Sequence, residues 1–164
     1  MSNASVSLGP LGRADGRWTV GDHRKPGGTW LECGADGLYQ HARDSEGQLI
    51  PWARIMLADF TLGAKYPKGI YGVRALFGGG RGYLHLTLRH PYEDRIVPFD
   101  CHPHRYRVTE VVWCEALLTQ TIAAGEAHRF GDADWLGRAV EGLVRQRPRT
   151  ARQIRQAVAE AREA

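Results

Sequence analysis

Apolar and polar positions alternate most cleanly over residues 84–89, where Leu84, Leu86 and Leu88 interleave with His85, Thr87 and Arg89. Successive strand residues point to opposite faces, so the pattern predicts a half-buried strand with its leucines on a core and His85, Thr87 and Arg89 turned outwards. Residues 29–60 carry shorter runs of β-branched and aromatic residues bounded by Gly and Asp. They read as two strands about a Gly34-Ala35-Asp36-Gly37 corner, a polar turn at residues 43–47, and a third strand carrying Ile50, Pro51 and Trp52. A further strand is expected over residues 70–77, with a glycine-rich turn at residues 78–82 leading into the leucine strand. Residues 95–99 supply the last strand, and Pro98, which has no N–H for a ladder, places it at an edge or a bend. Before Gly28 the apolar anchors are few beyond Trp18 and Val20, so this stretch is expected to be an irregular arm in which only residues 17–20 suggest a strand.

From Val108 the period becomes helical. Val108, Val111, Val112, Leu118 and Ile122 lie on one broad face that Trp113 and Leu117 widen, and Gly125 is a natural stop. A second helix follows Asp132 as N-cap, with Trp135, Leu136, Ala139, Val140, Leu143 and Val144 at three- and four-residue spacing. After Pro148, Thr150 and Gln153 have the spacing of a capping box, and Ile154, Ala157, Val158 and Ala161 form the stripe of a third helix, off which Arg152 and Arg155 lie.

Strands first and helices last predict an α+β fold: an antiparallel barrel or curled sheet of about six to seven short strands, an amphipathic capping helix, and two more helices. The expected organisation is an arm over residues 1–28, a β-rich domain with its capping helix over 29–124, and a two-helix extension over 125–164 packed on it. At 164 residues the chain is long enough to fold on its own core without a staple. Cys33, Cys101 and Cys114 are odd in number and form no CxxC pair. With no signal-peptide pattern and no apolar run of spanning length, they point to a reducing, cytoplasmic setting and no transmembrane segment.

Charge sharpens this picture at one end. The formal charge is +4, and residues 145–164 hold six arginines against Glu160 and Glu163, so the tail alone accounts for it. A basic tail of this kind suits nucleic acid, an anionic surface or an acidic partner, and equally a solvated helix face in a chain with 19 arginines and three lysines.

The run Ala35-Asp36-Gly37-Leu38, a Gly-containing turn and Ile50-Pro51-Trp52-Ala53-Arg54-Ile55, followed by a helix from Val108, resembles bacterial pleckstrin-homology-like (PH-like) domains over residues 30–124. That resemblance implies a strongly bent antiparallel sheet plugged by a helix, and many such domains bind proteins. Phosphoinositide-binding members place cations in the first hairpin loop, whereas Gly34-Ala35-Asp36-Gly37 has none, so lipid binding is not implied.

Four groups of residues have chemistry to offer. Lys65, Tyr66, Lys68 and Tyr71 combine charge with amphipathic rings in one loop and are the expected contact for a protein partner or a second copy. Trp18 and Tyr92 are further aromatics expected in or beside loops. Arg145, Arg147, Arg149, Arg152 and Arg155 suit a phosphate backbone, and the absence of aromatics beside them disfavours stacking on single-stranded bases. His102 and His104, near Cys101, His85 and His90, offer a ligand pair for a metal-dependent site. Glycines around Arg81 resemble a phosphate cradle, yet no Gly-Lys-Ser/Thr follows. No catalytic residue and no cofactor emerges, Cys33 and Cys114 reading as core thiols. The expectation is a non-enzymatic interaction module binding a protein partner or itself. The alternatives are a nucleic-acid-associated protein using the basic helix and a small metal-dependent enzyme centred on His102 and His104.

Overall fold

The computed structural model describes residues 6–42, 45–62 and 80–164. Its strands are β1 (Ser7–Leu8), β2 (Leu11–Ala14), β3 (Arg17–Val20), β4 (Trp30–Cys33), β5 (Gly37–Ala42), β6 (Ser45–Pro51), β7 (Ile55–Leu62), β8 (Arg81–Leu88) and β9 (Glu93–Asp100). Three helices follow: α1 (Val108–Ala123), α2 (Ala133–Gln146) and α3 (Ala151–Glu163). Every strand pair is antiparallel, with β1 to β6 forming one sheet in chain order and β7-β8-β9 a second. The α+β expectation therefore holds with more strands than expected, and the described strands form two sheets and no closed barrel.

The expected strand pattern is recovered where it was strongest. Leu84, Leu86 and Leu88 are buried to 2% exposure or less, while His85 and Thr87 lie on the opposite, half-exposed face. β9 is an edge strand, as Pro98 requires. The third meander strand ends at Pro51, because Trp52–Arg54 form a 3-10 turn that rotates the chain into β7. A bulge at Met56 then shifts the register, pairing Ile55 with Leu88 and Leu57 with Thr87. The extra residue reverses the alternation, so Ile55 faces the core and Leu57 is 61% exposed. The strand expected over residues 70–77 lies outside the described residues, as do Gly78 and Gly79.

The N-terminal stretch departs most from expectation. Instead of an irregular arm, residues 7–20 form β1, β2 and β3, continuous with the meander through pairing of Trp18 with Cys33 and Val20 with Leu31. Trp18, expected beside a loop, is 1% exposed and donates from Nε1 to the Ala133 carbonyl at 3.0 Å. The correction has a physical reason: strands of two to four residues give almost no periodic signal, and their stability comes from neighbouring strands and from packing beneath α2.

One core joins all of these elements. Leu31, Leu38 and Ile50 from the first sheet meet Phe60, Leu84, Leu86 and Phe99 from the second, with Val111, Leu117 and Leu118 of α1 in the same cluster. α1 is buried over much of its circumference because β7 packs on one side and α3 on another. α2 and α3 close the far side through Leu136, Val140 and Leu143, and through Ala157, Val158 and Ala161.

The two sheets are tied at the end of β9. Asp100 accepts from the Thr29 N–H at 2.8 Å and from Lys25 Nζ at 3.2 Å, while its own carbonyl accepts from the Asp22 N–H at 2.7 Å. Burial pushes this carboxyl's pKa up, but the Thr29 hydrogen bond and the Lys25 charge outweigh it and leave the group below the usual aspartate range. A depressed folded pKa means the contribution is present above the unfolded value near 4 and is lost as pH falls through the lower folded value. Asp100→Asn is therefore expected to lower the melting temperature at pH 7 and to weaken its decline below about pH 4. A variant whose acid unfolding curve overlays the parent's would show that Asp100 is not the tie.

Candidate functional site: a basic helical corner

α2 and α3 meet at a corner whose backbone is fixed on every side. α2 starts on Asp132, whose Oδ1 accepts from Asp134 and Trp135 N–H, both at 3.1 Å. It ends at Arg147, which adopts a left-handed conformation with φ of 49° and donates its N–H to the Leu143 carbonyl at 3.0 Å. Pro148 is buried, and its carbonyl accepts from Trp113 Nε1 at 3.0 Å, pinning the corner to α1. The expected capping box then forms: Thr150 Oγ1 accepts from Gln153 N–H at 3.1 Å, and Gln153 Oε1 accepts from the N–H groups of Thr150 and Arg149.

On this rigid frame Arg145, Arg147, Arg149, Arg152 and Arg155 are all exposed, and none forms an ion pair among the described residues. Several arginines elsewhere are neutralised: Arg129 and Arg162 share Glu126, Arg54 and Arg95 share Glu93, and Arg17 meets Glu32. α3 buries Ala157, Val158 and Ala161, so Arg152 projects from the opposite side and Arg155 from the flank. The first turn of α3 contains no acid, although a helix N-terminus favours one. At the start of α3, side-chain charge and helix dipole thus carry the same sign, an arrangement that attracts an anion, whereas Arg145 and Arg147 lie at the end of α2, where the dipole favours a cation.

The backbone carries the same mark. A left-handed position at a helix end ordinarily takes glycine, since a side chain there costs about 1–2 kcal/mol. Arg147→Gly is expected to raise unfolding stability by about 1 kcal/mol. Denaturant titration checks this, and a loss of stability would show that the Arg147 side chain contributes to folding.

The other expected sites stand differently. Lys65, Tyr66, Lys68 and Tyr71 lie outside the described residues. His102 and His104 come together with ring centroids 5.0 Å apart, and His102 Nδ1 lies 2.6 Å from Tyr106 Oη. Among the described residues no group of three or more His, Cys, Asp or Glu side chains is arranged to hold a metal ion. His85 is elsewhere, 2.9 Å from Thr61 Oγ1, and His90 occupies the turn before β9. Burial pushes the Cys33 thiol up to about 12 and the Cys101 thiol up to about 11, and it raises Cys114 as well, so all three remain protonated core or near-core thiols. Tyr92 is 73% exposed.

Three residues near the histidine pair, Asp22, His23 and Arg24, gave no signal in the sequence. They sit some 80 positions upstream, and only the pairing of β3 with β4 and the tie at Asp100 brings their loop to the β9–α1 connection. No helix among the described residues is long and apolar enough to cross a membrane. No protein-family model, no curated protein and no solved structure matches this chain.

Proposed function

We propose that this protein is a non-enzymatic binding module on a PH-like frame whose basic α2–α3 corner holds the phosphate backbone of double-stranded nucleic acid. The frame reading is supported by the antiparallel meander and by α1, which follows the last strand and packs along β7. The N-terminal strands and the last two helices are additions to such a frame. One observation carries the functional reading: five arginines lie exposed, with no ion pair among the described residues, around a corner whose backbone is fixed by Trp113 and a capping box.

The same geometry argues for backbone contact rather than base readout. Gln153 and Gln156 are the residues of α3 whose amides would read a base edge. Gln153 Oε1 is committed to the cap, and Gln156 Nε2 donates to Glu160 Oε1 at 3.3 Å. No aromatic residue occurs between 145 and 164 to stack on unpaired bases. Phosphate contacts position without specifying, so the ligand is duplex of any sequence.

The test is fluorescence anisotropy with two labelled duplexes of unrelated sequence between 50 and 200 mM salt. Five phosphate contacts predict a logarithmic salt slope of about −4 to −5 and equal affinities for both duplexes. No binding at the lowest salt, or a slope near zero, overturns the proposal.

A further inference from the structure

A second cationic feature is separate from the helical corner. Between the N-terminal meander and the β9–α1 connection lies a cleft of about 340 Å³, lined among others by Arg13, Asp22, His23, Arg24, His102 and His104. Its size suits a small ligand rather than a protein segment. Its lining presents the Arg24 guanidinium and three imidazoles against one carboxylate, while the guanidinium of Arg13 turns away onto α2.

The partners of these groups decide what the cleft would take. The Arg24 side chain is exposed and in no ion pair among the described residues. Arg13 shares the opposite face of its strand with Trp18, its guanidinium 3.6 Å from Asp134 on α2, so it lends the cleft no charge. Asp22 spends part of its charge inside the loop, its Oδ1 accepting from the Arg24 N–H at 3.0 Å. His23 Nδ1 is shielded from solvent without a hydrogen-bond partner, which leaves a buried polar atom short of a contact. The His102 ring is held by Tyr106: its Nδ1 lies 2.6 Å from Oη, which also accepts from the His102 N–H at 2.7 Å. That leaves His102 Nε2 with no hydrogen bond among the described residues. Gly12 keeps the floor open, since a Cβ there would meet only Ser7 Cβ at 3.9 Å.

We propose that this cleft is a binding site for a small oxyanion, inorganic phosphate or a soluble phosphate monoester, held by Arg24 with His23 and His102 as imidazole hydrogen-bond donors. The Arg24 guanidinium would repel a cation at the same place, so His23 and His102 serve the anion as hydrogen-bond donors rather than a metal as ligands.

The test is a titration of the full-length protein at neutral pH with inorganic phosphate and with glycerol phosphate, followed by imidazole resonances in nitrogen-15 NMR. Saturable shifts are expected at His23, His102 and His104, with His85 and His128 unmoved. Arg24→Ala and, separately, His104→Ala change exposed residues, so each folds; the first is expected to weaken the response at least tenfold and the second to leave it within threefold. Charge reversal at Arg149, Arg152 and Arg155 is expected to leave it intact, which separates this site from the helical corner. Vesicles of phosphatidylcholine with phosphatidic acid are expected to retain none of the protein through this cleft, so that Arg24→Ala does not change sedimentation. The proposal is overturned by absence of saturation at 20 millimolar phosphate (about the upper limit for a specific small-anion site), by an undiminished response in Arg24→Ala, by its loss in the corner variant, or by Arg24-dependent capture on vesicles.

Discussion

Replacing Arg149, Arg152 and Arg155 together by glutamate is expected to abolish duplex binding while leaving the fold unchanged. All three side chains are exposed and in no ion pair among the described residues, so none contributes one there whose loss would destabilise the helices. Glutamate in the first turn of α3 even improves the match to the helix dipole, by a few tenths of a kcal/mol. Sequence-independent binding typically has a Kd of about 10⁻⁴ to 10⁻⁶ M at physiological salt, supplied almost wholly by phosphate contacts. Removing three of five contacts and adding three repulsive charges should move Kd by roughly 100-fold or more and reduce the salt slope by about 3. The measurement is the same anisotropy titration, with a melting curve to establish folding. A folded variant that binds as the parent does would place the interface elsewhere or nowhere.

The largest expected loss of stability follows Trp18→Ala. The indole is 1% exposed, packs within 3.9 Å of the Gly137 position on α2, and donates to the Ala133 carbonyl at the first turn of that helix. Truncating a buried tryptophan leaves a cavity and costs about 3–5 kcal/mol, to which the abandoned carbonyl adds about 1 kcal/mol or more. In a chain of this size each kcal/mol lowers the melting temperature by about 2–4 °C, so a fall of roughly 8–24 °C is expected. Thermal unfolding followed by circular dichroism measures it. A fall of only a few degrees would mean that the N-terminal strands are not integral to the core, contrary to their pairing with β4 and packing on α2.

Those two variants differ in how far they were legible beforehand. The arginines of the corner are visible in the chain as written, because exposure on a capped helix follows from local spacing: Thr150 and Gln153 set the start, and the stripe Ile154, Ala157, Val158, Ala161 sets which way the helix faces. Trp18 was not legible. It stands beside Arg17 in a four-residue strand, and the carbonyl it bonds lies 115 residues away. The bulge at Met56 was equally silent, since an inserted residue is a property of the pairing with β8 rather than of either strand alone.

The sequence by itself determined the class of the fold, the leucine face of β8, the edge or bend at Pro98, the helix caps and the five arginines on solvent, all of them consequences of period-2 or period-3.6 patterns and of backbone donors present or missing within a few residues. Tertiary structure alone decided three things: that the N-terminal stretch joins the first sheet, that Pro148 and Trp113 lock the basic corner in place, and that Asp22, His23 and Arg24 lie beside the histidine pair. Each depends on contacts between residues tens of positions apart, whose favourable free energy appears only once loop closure has brought them together, and no local pattern records that step.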